Sequence, residues 1–312
     1  MLEKFLRETL KMAPRQIWGV EQIGIYFKKL FSAKSAKAAI ACLVAIAECF
    51  GLAVLDTPTT PRGDALDLTG YTLVFEDEFE GDTLDFDAWK YVGHGAERGG
   101  YCYSPSQTRV ENGNLIMTGE YKEDGVYGPG FYGADIALIN WYKQGYFEIR
   151  CKCNPGGGLW SAFWIQAKHP YEAQYSQGGV GGAELDIFEA MDWDDTFGKN
   201  SVTQTIHCAG VGGVQEGFQS KVLGSFYANN IYDEYNTYGL EWNEDEYIFY
   251  INGVETVRST FGDGVSQVEE QVRVSLCVPS AEELAKLDKE SYKSDFVVDY
   301  VKIYQPTLTA LD

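Results

Sequence analysis

Basic residues are scarce in this chain. Its 312 residues hold 25 Lys and Arg against 46 Asp and Glu, a formal net charge of −21. So acidic a surface repels phosphate backbones and argues against a nucleic-acid partner. Paired cysteines are also lacking. The seven cysteines, at 42, 49, 102, 151, 153, 208 and 277, include no CxxC pair, which argues against a zinc site, and their odd number defines no disulfide framework. Histidine is limited to three residues. Internal repeats and low-complexity tracts are absent. Hydrophobic content is 45% and aromatic content 14%, with 21 Tyr and 7 Trp, so a sizeable core is available together with many flat faces suited to sugar rings.

Only one long apolar run is present. Ala38–Leu55 is interrupted by a single charge, Glu48, and follows Lys28, Lys29, Lys34 and Lys37. Residues 1–37 carry eight basic residues and three acids, a net of +5 that leaves −26 for the rest. A basic flank before an apolar segment reads as a membrane anchor or export signal, placing the protein outside the cytoplasm. A soluble helix and a cytoplasmic protein is the competing reading. Leu2, Phe5, Leu6 and Leu10, and then Ile23, Tyr26, Phe27, Leu30 and Phe31, repeat at helical spacing. The expected organisation is a helical N-terminal region over 1–56, a Pro- and Gly-bearing linker over 57–67, a main domain over 68–306 and a tail over 307–312.

From residue 68 onward the pattern is one of short strands. Tyr71–Phe75 reads as a first strand, and Asn112-Gly113 and Asn252-Gly253 each mark a hairpin between apolar runs. Gly145–Cys153 alternates, with Phe147, Ile149, Cys151 and Cys153 on one face. Phe296–Tyr304 reads as the last strand and Ser280–Lys289 as the one helix of this region. The expected fold is all-β, two packed antiparallel sheets.

One hexapeptide concentrates the chemistry: Glu184-Leu185-Asp186-Ile187-Phe188-Glu189. Side chains alternate faces on a strand, so Glu184 and Asp186 share one face while Glu189 falls on the other. One extra residue, a β-bulge, would bring Glu189 back beside them. A row of three acids so formed can supply both a nucleophile and a general acid to a glycosidic bond.

Those residues resemble the active-site strand of glycoside hydrolase family 16, in the bulged version of its laminarinase-like members. Phe75-Glu76-Asp77-Glu78-Phe79, Gln144–Arg150, Gly158–Trp164, Trp242 with Ile248–Gly253, and Asp299–Tyr304 resemble other family segments in the same order. The resemblance covers roughly residues 70–305. It implies a β-jelly-roll sandwich with a cleft on the concave face. It also implies retention of configuration, with Glu184 as nucleophile, Glu189 as general acid/base and Asp186 tuning both. The implied substrate-binding residues are Trp160, Trp164 and His207, with Tyr103, Gln107 and Arg109 on the rim. Trp242 lines either cleft or core, while Leu159 and Phe163, of opposite parity to the tryptophans, are core candidates. No cofactor is implied for catalysis; a structural calcium would use Asp299 and Gly113.

Asp135 stands where laminarinase-like members usually carry Arg, and Ala190–Asp195 lacks their small-residue turn. The expected activity is endo-hydrolysis of β-1,3 or mixed β-1,3/1,4-glucan by a monomer that takes a polysaccharide or oligosaccharide as its partner. Membrane association, if any, would run through residues 38–55. The alternatives are a transglycosylase, a galactan hydrolase, a non-catalytic carbohydrate-binding jelly roll, and a membrane-tethered structural protein.

Overall fold

In the computed structural model, residues 58–307 are described, apart from 94, 98–100, 156–157, 191–199, 279–284, 286 and 291. The amphipathic repeats and the apolar run of residues 1–55 lie outside the described residues, and so does most of the Ser280–Lys289 segment. No helix among the described residues is long and apolar enough to cross a membrane.

Seventeen strands are found among the described residues. In chain order they are β1 (Tyr71–Asp77), β2 (Trp89–Tyr91), β3 (Gly95–Glu97), β4 (Tyr101–Tyr103), β5 (Thr108–Val110), β6 (Leu115–Lys122), β7 (Gly130–Tyr142), β8 (Gly145–Lys152) and β9 (Trp160–Gln166). They continue with β10 (Glu184–Ala190), β11 (Ser201–Ala209), β12 (Phe218–Tyr227), β13 (Asn236–Trp242), β14 (Tyr247–Ile251), β15 (Val254–Ser259), β16 (Glu270–Cys277) and β17 (Lys293–Pro306). The only α-helix among the described residues is the single turn α1 (Ala173–Ser176).

One sheet runs β2-β7-β16-β9-β10-β11-β12, antiparallel throughout. The other runs β15-β14-β13-β8-β17, with β1 and β6 pairing successive halves of the long β17. β7 joins the two, because its first residues pair β6 and the remainder pairs β16. The short pairing of β4 with β7 is parallel.

The expected alternation of β8 holds: Phe147, Ile149, Cys151 and Cys153 are buried between the sheets. Leu159 and Phe163 are buried there too, and so is Trp242, whose ring stacks on Phe147 at 6.3 Å. Trp242 is therefore a core residue. Both hairpins form at their Asn-Gly pairs, where φ is 54° and 70° at 112–113 and 50° and 72° at 252–253. Two consecutive positive φ values match the right-handed strand twist, and Asn and Gly tolerate them best.

The segment expected as a linker belongs to the domain from Pro58 onward. Thr59 bridges Phe226 and covers the β12 edge, while Gly63 and Leu66 donate to Glu255 and Gly253. Leu66 and Leu68 then cover Tyr146 and Tyr250 on the outer face of the second sheet. Covering a bare edge removes a site for unwanted strand pairing.

Candidate active site

β10 lies near the middle of the first sheet. Its apolar residues Leu185, Ile187, Phe188 and Ala190 are buried in the core, which leaves the acids for the opposite face. The register against β9 shows how three acids come to share it. Glu184 pairs with Gln166, Asp186 with Trp164, and Glu189 with Ala162. The partners step by two while β10 takes an extra residue between Asp186 and Phe188. The same shift appears against β11, where the partners are His207, Thr205 and Thr203. This is the expected bulge, and it restores the parity of Glu189.

The three acids experience different surroundings. Burial, then the charge on Asp186, pushes the Glu189 carboxyl well above the usual carboxylate range. His207 and a hydrogen bond from Trp160 pull it back in part. Burial and Glu184 raise Asp186 strongly as well. His207 Nε2 lies 3.1 Å from Asp186 Oδ2, and its Nδ1 is 2.6 Å from Ser220 Oγ. Glu184 accepts hydrogen bonds from Gln166 Nε2 and the Tyr171 hydroxyl, both on Oε2.

A pocket of about 260 Å³ opens over these acids. That is below the usual range of roughly 300–1,000 Å³ for small-molecule pockets. Tyr103, Trp160 and Trp164 line it. Asp135, Tyr171, Arg273 and Cys277 line it as well. One face of Trp164 lies against Arg273, whose Cζ is 4.0 Å from the ring centroid, and its Nε1 donates to Ser275 Oγ at 3.0 Å. Any sugar stacked on Trp164 must use the other face.

Two expected rim residues are not brought to this pocket. Gln107 is buried, donating to the Thr118 carbonyl at 2.8 Å and to Glu120 at 3.3 Å. Arg109 donates to Thr118 Oγ1 at 2.6 Å and pairs with Asp295 at 2.9 Å. Gln107, in the turn just before β5, and Arg109, on β5, spend their donors on β6 and β17 instead.

The residues expected to hold calcium sit at another edge. Asp299 lies where the β17 register shifts, and Gly113 is in the turn before β6. A carboxylate and a main-chain carbonyl are hard donors of the kind calcium takes. Arg150 already donates to Asp299 Oδ2, so an ion there would share that carboxylate with a guanidinium.

Tyr171, Gln166 and Arg273 escape a reading of local motifs. β16 does carry a signal, since Val272, Val274 and Leu276 alternate with Gln271, Arg273, Ser275 and Cys277. That parity assigns Arg273 to the face away from the core. Tyr171 follows Pro170 in a loop and has no such signal. Arg273 also accounts for the unusual Asp135. The two residues form an ion pair across adjacent strands, so the guanidinium reaches the cleft from β16 instead of β7.

Residues 101–300 match the family model described as Glycosyl hydrolases family 16. The chain is 27% identical to glucan endo-1,3-beta-glucosidase A1 of Niallia circulans, over 64% of this chain and 30% of that protein. It is 28% identical to endo-1,3-1,4-beta-glycanase ExoK of Rhizobium meliloti, over 57% of this chain and 59% of that one. It covers 41% of two beta-glucanases of Acetivibrio thermocellus, so it spans less than half the length of several such relatives. Among solved structures it is similar to SCLam, a non-specific endo-beta-1,3(4)-glucanase from family GH16. The TM-score is 0.64 at 22% identity, covering 80% of this chain and 97% of that one. LamAcat from Zobellia galactanivorans gives 0.60 at 22% identity, covering 75% and 98%. At that identity the structural likeness is one of fold. With the matched family model spanning the acid-bearing strand and the cleft around it, the chain belongs to glycosyl hydrolase family 16.

Proposed function

We propose that this chain is a retaining, endo-acting β-glucanase that cleaves β-1,3 or mixed β-1,3/1,4-glucan by double displacement. The observation that carries the reading is the bulged β10, with Glu184 and Glu189 on one pocket wall in opposite surroundings. The activities named for the relatives point the same way. A retaining glycosidase needs one ionised and one protonated carboxyl, about 5–5.5 Å apart. Glu184 Oε2 accepts two hydrogen bonds, whereas burial favours a protonated Glu189.

In the first step Glu184 attacks the anomeric carbon as Glu189 gives its proton to the departing oxygen. A glycosyl ester forms and the aglycone leaves. In the second step Glu189 takes a proton from water, water attacks the same carbon, and Glu184 is released. Asp186 stands between the two and, with His207 against it, sets the charge that each feels. Trp160, Trp164 and Tyr103 supply surfaces against which sugar rings can stack. Asp299 and Gly113 are proposed to hold a structural calcium, and no step passes through that edge. A monomer acting outside the cytoplasm is proposed on residues 38–55 and the nature of the substrate.

The test is reducing-sugar release from laminarin and lichenan, with the first product's anomer followed by NMR. Glu184→Gln should abolish turnover while the melting curve is kept. A folded Glu184→Gln that still hydrolyses both glucans refutes the assignment. Inactivity of the wild type with tight glucan binding would favour a carbohydrate-binding module instead.

A further inference from the structure

Glu184 presents its two oxygens differently. Oε2 accepts from Gln166 Nε2 and from the Tyr171 hydroxyl, and Gln166 Nε2 also reaches the Tyr171 oxygen at 3.1 Å. No hydrogen bond to Oε1 is found among the described residues. Gln166 is not free to turn over. Its Oε1 accepts from Arg273 Nη1 at 3.2 Å, and Arg273 is itself tied to Asp135, with Nε 3.3 Å from Oδ1. With the carbonyl end so engaged, the amide end must face Glu184. Tyr171 comes from the loop before α1, and its ring packs on Phe218 with centroids 5.1 Å apart. Nearby, His169 Nδ1 is 2.8 Å from Glu172 Oε1 and its ring lies 4.6 Å from that of Tyr175, which ties the same loop down. Thus a residue that is 43% exposed delivers its hydroxyl to a carboxylate on the sheet below.

We propose that Tyr171 is a positioning residue for the reaction: together with Gln166 it holds Oε2 of Glu184 and leaves Oε1 aimed at the sugar. The inference rests on the double-displacement reading of Glu184 above. In the first step the new bond joins Oε1 to the anomeric carbon, the glycosidic carbon–oxygen bond breaks, and the departing oxygen takes the Glu189 proton. In the second step the bond to Oε1 breaks as water adds, and the electron pair returns to the carboxylate. Two donors waiting at Oε2 stabilise the negative charge that reappears there without having to reorganise. They also fix the plane of the carboxylate, so that only one oxygen can attack.

The experiment compares wild type with Tyr171→Phe, which keeps the ring on Phe218 and removes the hydroxyl. Gln166→Leu serves as a second variant. Steady-state hydrolysis of laminarin or lichenan, whichever is the better substrate, is followed across pH. The titratable and charged groups facing Glu184 are Asp186 and Glu189 on its own strand, His207 on β11, Glu270 on β16, and Arg273 through Gln166. All are unchanged in Tyr171→Phe. kcat should fall roughly 10- to 100-fold, with KM altered less than about threefold. Gln166→Leu should lower kcat in the same way, again with KM changed little.

A folded Tyr171→Phe with wild-type kcat overturns the proposal. A raised KM with an unchanged kcat also overturns it, because Tyr171 would then be a substrate contact only. Failure of the underlying reading is separate, since it shows as turnover by Glu184→Gln.

Discussion

Glu270 offers a test of the electrostatics beneath the site. It opens β16, is fully buried, and accepts a hydrogen bond from the Ala183 N–H at 2.9 Å. Burial raises its carboxyl from 4.5 to about 8, against the pull of hydrogen bonds from Ser266 and Ala183, and Glu184 adds to the rise. The unfolded chain would release this proton near pH 4.5, while the folded chain keeps it until about pH 8. The folded state therefore binds more protons across that window. Its contribution to stability is fully present below pH 4.5 and is lost as pH rises toward 8. At 1.36 kcal/mol per pH unit, wild type should lose roughly 3–4 kcal/mol between pH 5 and 8 through this one group. Glu270→Gln keeps the acceptor for Ala183 and removes the titration. Urea unfolding of both proteins at pH 5 and pH 8 reads the difference. The variant should be close to wild type at pH 5 and more stable at pH 8. With m of about 1–3 kcal/mol/M, the pH 8 midpoint should rise by at least ~1 M. Identical pH dependence in the two proteins would refute the reasoning. It would mean that Glu270 is ionised when folded, or that water reaches it.

Two more outcomes are expected. Arg273→Met leaves Asp135 buried at 4% exposure without its guanidinium, which should cost about 3–5 kcal/mol in denaturant unfolding; Asp135→Asn added to it should recover most of the loss. Equal stability of Arg273→Met and wild type would contradict the pairing. His207→Ala removes a group that lowers the Glu189 pKa, so the basic limb of the kcat/KM profile should move to higher pH. An unmoved or lowered basic limb would show that His207 acts elsewhere.

Much of the fold was legible because its signals are local. Period-two alternation in β8 assigns Phe147, Ile149, Cys151 and Cys153 to the core, and the structure buries all four. Asn-Gly pairs mark two hairpins because few other residues accept two positive φ values in succession. The acid-bearing strand was legible for the same reason. Three acids interleaved with apolar residues can share a face only if one residue is extra, and the bulge is found between Asp186 and Phe188. The expected rim failed at Gln107 and Arg109, since sequence proximity to Tyr103 does not reveal that β5 turns along β6. The segment after Pro58 reads as a linker from its composition, yet its backbone pairs with β12 and β15.

By itself the order of residues determined which face of each strand is apolar, where the chain reverses, and that a kink must carry Glu189 back beside Glu184 and Asp186. Each of these follows from the geometry of a few consecutive residues. Only the tertiary structure decided who surrounds those acids. Tyr171, Gln166, Arg273 and Asp135 meet Glu184 or one another through hydrogen bonds and ion pairs spanning 13, 18, 107 and 138 positions. Strand order and register bring such groups together, and no short stretch of chain encodes either. That is why the donors on Glu184 Oε2, and the arginine standing in for the one missing at 135, became visible only in three dimensions.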